Sequence, residues 1–245
     1  DAQKNGRAEI ARAFAASPFN ARPMTSAYCY LTDQLVRTTL QIAGQRLHPL
    51  EAPGPDDKLA VIGVGGYGRG EMAPFSDVDL LFLIPQTPSQ RTEKLIESML
   101  YMLWDLKLKV GHSTRTIRDC VTLGREDFTI QTALLEHRFI AADTALAQNL
   151  DETLKTDLFA GTGRSFIEAK LEERDARHRK QGLRYVVEPN VKEAKGGLRD
   201  LQSLFWIAKH IYSVENAADL VDRGVFLEEE FKTFVAAENF LWAVR

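Results

Sequence analysis

Residues 61–84 most narrow the fold open to this chain: a glycine-rich turn followed by two aspartates at the head of an apolar run. The segment reads Val-Ile-Gly-Val-Gly-Gly-Tyr-Gly-Arg-Gly-Glu-Met-Ala-Pro-Phe-Ser-Asp-Val-Asp-Leu-Leu-Phe-Leu-Ile. The apolar stretches 59–64 and 78–84 predict two buried strands with the glycines between them. Successive side chains of a strand point to opposite faces, so Asp77 and Asp79 share one face, about 7 Å apart along the chain. Paired carboxylates beside a phosphate-sized glycine turn are what a Mg²⁺-dependent phosphoryl or nucleotidyl transfer site needs. Turn capping by Ser76 and Asp77 accounts for one acid but not for a second on the same face.

The same residues contain the dinucleotide-binding spacing Gly63-x-Gly65-x-x-Gly68. That fold needs a crossover helix of about a dozen residues before the next parallel strand. Gly70 and Pro74 interrupt the interval, and the second strand has begun by Val78. The acids also arrive too early to read a ribose about 20 residues on. The dinucleotide reading is therefore rejected.

A chain of 245 residues can bury a substantial core. A net charge of −3 and no basic run give no reason to expect nucleic acid as a partner. No apolar run approaches the roughly 18 residues of a membrane span. Cys29 and Cys120 are isolated in sequence, which argues against a disulfide framework or zinc site. With no signal peptide, the expectation is a cytoplasmic protein with reduced thiols. The chain begins at Asp1 and ends inside a helical pattern over 231–245, so a piece of a longer protein is expected.

The pattern predicts an N-terminal helical segment over 1–50, with helices over 8–16 and 26–46 split by breakers at Pro18 and Pro23. An α/β part over 51–142 should add a helix over 87–106, a short strand over 107–110, helices near 116–123 and 128–137, and an edge strand over 139–141. A helical part over 143–245 follows. Within it, 185–201 predicts an extended piece, a glycine turn and a helix over 198–212. The charged run 164–180 reads as a solvated helix face.

Gly65 and Gly66 would let backbone amides approach phosphate oxygens. Arg69 either adds charge-assisted hydrogen bonds to them or pairs with Glu71. Tyr67 either stacks on the loop or covers it. Lys192, Lys195 and Arg199 surround Gly196 and Gly197 at a helix start, a candidate second anion site. The alternative there is a plain glycine turn with Arg199 and Asp200 paired. His112 is either a polar site residue or, as a lone histidine more often is, structural. No P-loop, nucleophile elbow or His-Asp dipeptide occurs.

Gly65-Gly66, ten residues and Asp77-x-Asp79 together resemble the signature of the DNA polymerase β-like nucleotidyltransferase superfamily. The fuller run through Leu81 is similar to the bacterial PII-protein uridylyltransferase/uridylyl-removing enzymes. So are Val-Gly-His-Ser-Thr-Arg-Thr at 110–116 and Glu-Pro-Asn-x-Lys-x-x-x-Gly-Gly-Leu-Arg-Asp-Leu at 188–201. The resemblance implies an α+β fold: a polymerase β-like domain with a small mixed sheet, followed by a helical domain. It implies Asp77 and Asp79 as catalytic metal ligands, with Gly65, Gly66, Arg69, Ser76, Lys192, Lys195 and Arg199 toward the nucleotide. The implied reaction uses UTP and Mg²⁺ to place UMP on a tyrosine of the PII signalling protein, releasing pyrophosphate. UMP removal and glutamine control are implied for domains beyond residue 245. The superfamily's third carboxylate has no clear counterpart: Lys109 stands on the expected strand, and Asp105 at its edge. Adenylyl transfer to a related metabolic enzyme, or a non-catalytic nucleotide- and partner-binding module, are the alternatives.

Overall fold

The computed structural model describes residues 1–180, 190–214 and 216–245. Residues 185–189 of the expected extended piece, with Glu188 and Pro189 of the third motif, lie outside them. The chain forms two compact units, Asp1–Ala13 with Met24–Leu158, and Phe14–Pro23 with Phe159–Arg245.

The N-terminal helices are α1 (Ala2–Ala16) and α2 (Ala21–Ile42), the latter running into a π turn at Ala43–Leu47. Pro23 does not separate helices as expected. It sits in the first turn of α2, where an amide would have no intrahelical acceptor anyway.

The first unit is built on a four-stranded mixed sheet in the order β3-β2-β1-β4. Strand β1 (Ala60–Gly63) runs antiparallel to β2 (Val78–Leu83) and to β4 (Arg138–Ala142). This antiparallel β1–β2 pair is incompatible with a dinucleotide βαβ unit, whose strands are parallel. Only the four-residue helix α3 (Gly65–Gly68) lies between them. Strand β2 then pairs in parallel with β3 (Val110–Arg115), through the 16-residue crossover helix α4 (Gln90–Asp105).

Both central strands are apolar on both faces, and Val61, Ile62, Leu80, Leu81, Phe82 and Leu83 are all buried. Helix α4 contributes a buried stripe of Leu95, Ile96, Met99, Leu100 and Leu103 at helical spacing. Helices α5 (Ile117–Glu126) and α6 (Phe128–Leu135) precede β4, and α7 (Thr144–Thr153) follows it. Thr116 caps α5 reciprocally with Asp119, and Asp127 caps α6.

Strand β3 begins where the expected strand over 107–110 ends, so that register is corrected. Residues 106–108 instead close α4: Leu108 N–H donates to Leu103 O at 3.2 Å and Lys107 N–H to Trp104 O at 2.8 Å. This is a Schellman stop with Lys107 in the left-handed position at φ 60°. A lysine there hides the helix end from any glycine-based reading, and the Lys-Leu-Lys-Val alternation imitates a strand.

The described part of the second unit is helical: α8 (Gly163–Lys180), α9 (Leu198–Tyr212), α10 (Asp219–Asp222) and α11 (Glu228–Val244). Phe166 and Trp206 are buried, and Lys170, only 3% exposed, lies over both rings at 5.6 and 5.4 Å. Arg22 and Glu238 form an ion pair within this unit.

Candidate active site

The site grows from the end of β1. Val64 is extended and its amide bonds to Asp79 O at 3.0 Å; Gly65 then turns with φ 58°. Only glycine takes that conformation without strain. As the opening of a helix, the turn leaves the first amides without intrahelical acceptors, available to an anion.

Gly68 answers a different need. A Cβ there would lie 2.1 Å from Glu136 O and 2.6 Å from Gly63 O. The third glycine of the apparent dinucleotide fingerprint is thus fixed by packing of α3 against β1 and the approach to β4.

Tyr67 neither stacks on the turn nor lids it. It is 1% exposed, and its hydroxyl donates to Asp33 Oδ1 at 2.7 Å. Arg138 clamps the same Asp33 through two nitrogens at 2.8 and 3.0 Å and lies over the Tyr67 ring at 5.3 Å. Burial, reinforced by the Asp33 charge, pushes the phenol's pKa well above its ordinary value. The tyrosine is a neutral peg fastening α3 to α2.

Arg69 is committed to carboxylates. Its Nε donates to Glu71 at 2.6 Å, and Nη1 donates to Glu136, which is 3% exposed. Burial opposes the guanidinium charge, but Glu136 and Glu71 outweigh it and raise the arginine's pKa. The ion-pair alternative describes this side chain, extended by a second acid the sequence reading did not include. Ser76 turns its hydroxyl inward to accept from the Ala73 amide at 2.9 Å, which shapes the turn that delivers Asp77.

Asp77 is exposed at the lip of β2, and Asp79 is half-buried one pleat further in. The Asp79 carboxylate fits between two glycines. A Cβ on Gly65 would lie 3.4 Å from Oδ2, and one on Gly111 only 2.6 Å from Oδ1. Gly111 pairs with Asp79 in the β2–β3 register, so the missing side chain makes the space the carboxylate occupies.

Ser113 and Arg115 pair with Leu81 and Leu83, on the same face. With Val64, Gly65, Asp79, Thr129 and Ile130 they line a cleft of about 270 Å³. The sequence reading did not single out Ser113, Arg115 or Thr129 as site residues. Their link to Asp79 is a parallel strand pairing made across α4, for which local spacing gives no signal. His112, between Gly111 and Ser113 on β3, also borders the cleft, and its ring lies edge-on to Trp104 with centroids 6.2 Å apart.

Asp105, the candidate third acid, does not join Asp79, and Lys109 supplies no carboxylate. Asp105 is exposed in the last turn of α4, and Lys109 precedes β3, its carbonyl accepting from Val78 N at 2.8 Å. Among the described residues no group of three metal-ligating side chains occurs. Two neighbouring carboxylates with glycine amides beside them still suit Mg²⁺, which takes few protein ligands and completes its shell from phosphates and water.

Lys192, Lys195 and Arg199 belong to the second unit. Arg199 donates to Glu193 at 3.3 Å and Gln202 at 3.1 Å and lies over Trp206 at 5.3 Å. Lys192 faces Glu193 at 3.7 Å, and burial followed by Arg199 lowers its pKa. Lys195 is exposed. At the turn itself, Gly196 has φ 80° and its amide donates to Asp200 Oδ2 at 2.8 Å. Asp200 also accepts from Arg177 and His178 rather than pairing with Arg199 as the alternative had it. An internal carboxylate thus takes the Gly196 amide.

Comparison with known proteins agrees with this geometry. Residues 50–139 match the family model described as nucleotidyltransferase domain, and 165–245 match that of GlnD PII-uridylyltransferase. The chain is 64% identical over 245 residues to a bifunctional uridylyltransferase/uridylyl-removing enzyme of Ruegeria pomeroyi, covering 100% of the chain and 27% of the relative. It is 58% identical to the enzyme of that name from Cereibacter sphaeroides, covering 100% and 26%. The Azospirillum brasilense enzyme of that name is 46% identical, again with 100% and 26% covered. The chain spans about a quarter of the length of these curated relatives. With its α+β architecture and mixed four-stranded sheet, it belongs to the PII-uridylyltransferase family of the polymerase β-like nucleotidyltransferases.

Proposed function

We propose that this chain carries the transfer half of such an enzyme: UMP passes from UTP to a tyrosine hydroxyl of a PII signalling protein, and pyrophosphate leaves. The observation that carries the reading is the room left for the Asp79 carboxylate by two glycines: a Cβ on Gly65 would lie 3.4 Å from its Oδ2, and one on Gly111 2.6 Å from its Oδ1. It brings an acid suited to Mg²⁺ close to a turn whose amides suit phosphate.

Asp77 and Asp79 would hold Mg²⁺, which when bound would neutralise charge on the phosphates and lower the cost of forming the phenolate nucleophile. The amides of Gly65 and Gly66 orient the triphosphate. Gly111 keeps Asp79 in place, and Ser76 holds the turn that presents Asp77. The cleft beside Ser113, Arg115 and Thr129 receives the nucleoside end, away from the exposed lip where the acceptor enters. The tyrosine oxygen bonds to the α-phosphorus as the bond to pyrophosphate breaks, and the phenolic proton is released. The work is positioning and electrostatics, as in other phosphoryl transfers.

No helix among the described residues is long and apolar enough to cross a membrane. We place the reaction in the cytoplasm, with UMP removal and glutamine control in other segments of the whole enzyme.

The test is to incubate the chain with a PII protein, Mg²⁺ and either UTP or ATP, and map the modified residue by mass spectrometry. UMP on a tyrosine supports the reading. AMP transfer in preference would favour an adenylyl transferase, and nucleotide binding without modification would leave a regulatory module.

A further inference from the structure

A second cavity lies at the other end of β1. It measures about 580 Å³, more than twice the cleft beside Asp79, and falls in the range of small-molecule sites. Leu59, entering β1, lines this cavity, whereas Val64 and Gly65, leaving β1, line the catalytic cleft. At about 3.3 Å per residue, the strand separates the two by roughly 15 Å.

Its floor is apolar, from Leu40, Leu59 and Leu95, and three cations line it: Arg37, Lys58 and Arg91. The guanidinium groups are held by backbone carbonyls rather than acids. Arg37 Nε donates to Ile140 O at 3.1 Å, and Arg91 Nε to His48 O at 2.7 Å. Those bonds fix both groups in place without neutralising their charge. Lys58 reaches Asp143 only at 3.9 Å.

The two acids of the cavity carry hydrogen bonds of their own, although the Arg91 charge also acts on Asp57. Asp57 accepts from Ser89 Oγ at 2.5 Å and Gly54 N at 3.0 Å, and Asp143 caps α7 through Leu146 N at 2.7 Å. Three cations against two acids leave the lining net positive.

The backbone around it is irregular at two separate places. The π turn Ala43–Leu47 supplies Gly44 and Gln45. Ala142, a residue with a Cβ, takes φ 79° just past the register shift between β1 and β4. Strain of this kind persists where surrounding structure imposes it and concentrates at binding sites.

We propose that this cavity binds a small organic anion, its apolar body on Leu40, Leu59 and Leu95 and its carboxylate or phosphate against Arg37, Lys58 and Arg91. The site is separate from the transfer site and does not depend on the reaction proposed there.

Backbone amide NMR of the ¹⁵N-labelled chain tests it with three probes: phenyl phosphate, benzoate and uncharged phenol. The expected result is saturable shifts at Gly44, Gly54 and Ala142 for one or both anions, and none for phenol. Tighter phenyl phosphate identifies a phosphate headgroup, and tighter benzoate a carboxylate. Lys58→Gln, at an exposed position, and Arg37→Gln should each weaken binding at least fivefold, with spectra elsewhere unchanged. Shifts confined to Gly65 and Gly111, equal response to phenol, or undiminished affinity in Lys58→Gln would overturn the proposal.

Discussion

Asp79 sits where two neighbouring residues lack a side chain. Its carboxylate occupies space that a Cβ on Gly111 would approach to 2.6 Å and one on Gly65 to 3.4 Å. Gly111→Ala should displace the flexible end of Asp79 rather than the backbone. Transfer should fall about 10²-fold, as for misplacement of a reacting group by about 1 Å, while the melting temperature barely moves. Matched assays of rate and thermal unfolding check this; a lost fold with normal specific activity would contradict it. Arg69 predicts the reverse pattern. Arg69→Gln leaves Glu136, 3% exposed, without its cation, and should cost about 3–5 kcal/mol in denaturant unfolding. Unchanged stability with weakened UTP binding would restore the phosphate role. The two acids and the glycine turn were legible because they sit within 15 residues and follow strand and turn chemistry. Gly111, Ser113 and Arg115 stood out only as part of the family-like run 110–116, without a role, and Thr129 not at all, since long-range strand pairing and α6 packing bring them to the cleft. Arg69 was ambiguous because one of its two partners, Glu136, is 67 residues away.

At the scale of elements, the apolar runs and helical stripes located most helices and three of the four strands, and polarity misled at the fourth. Strand β3 lies at the sheet edge, and its Gly-His-Ser-Thr-Arg sequence shows no apolar alternation. The stop of α4 was hidden by Lys107 at φ 60°. Lys107→Gly should therefore stabilise the first unit by about 1 kcal/mol by relieving a left-handed side-chain clash. Urea unfolding reads this directly, and destabilisation would mean the lysine side chain makes a contact of greater worth. In the second unit, α9 places His210 stacked on Phe166 with centroids 4.4 Å apart, Nε2 being 3.2 Å from Thr162 Oγ1. Burial lowers its pKa from the ordinary 6.5. The unfolded chain then takes up the proton first as pH falls. The histidine's contribution is present above about pH 6.5 and is lost as pH drops through the depressed folded value. Melting curves at pH 7.5 and 5.5 should show a drop that shrinks in His210→Phe; an identical drop in both would assign the acid sensitivity to other groups.

The whole molecule combines a small mixed sheet that carries paired acids with a helical unit matched separately to the PII-uridylyltransferase model. The curated relatives are named for two activities, and this chain spans about a quarter of their length. The described residues contain no cluster of three metal-ligating side chains, and the sequence contains no His-Asp pair. The chain by itself should therefore release no UMP from uridylylated PII with Mn²⁺ and glutamine, and release above a no-enzyme control would reveal a second hydrolytic centre. The central claim is that Asp77 and Asp79 hold the metal for UMP transfer. Its most direct test is the rate of labelled UMP incorporation from UTP into PII, with Mg²⁺, by the wild-type chain and by Asp77→Asn and Asp79→Asn. Both variants should fold normally by circular dichroism and lose transfer by about 10²-fold or more, the scale of losing metal and electrostatic stabilisation at the leaving pyrophosphate. Incorporation within tenfold of wild type by either variant would contradict it.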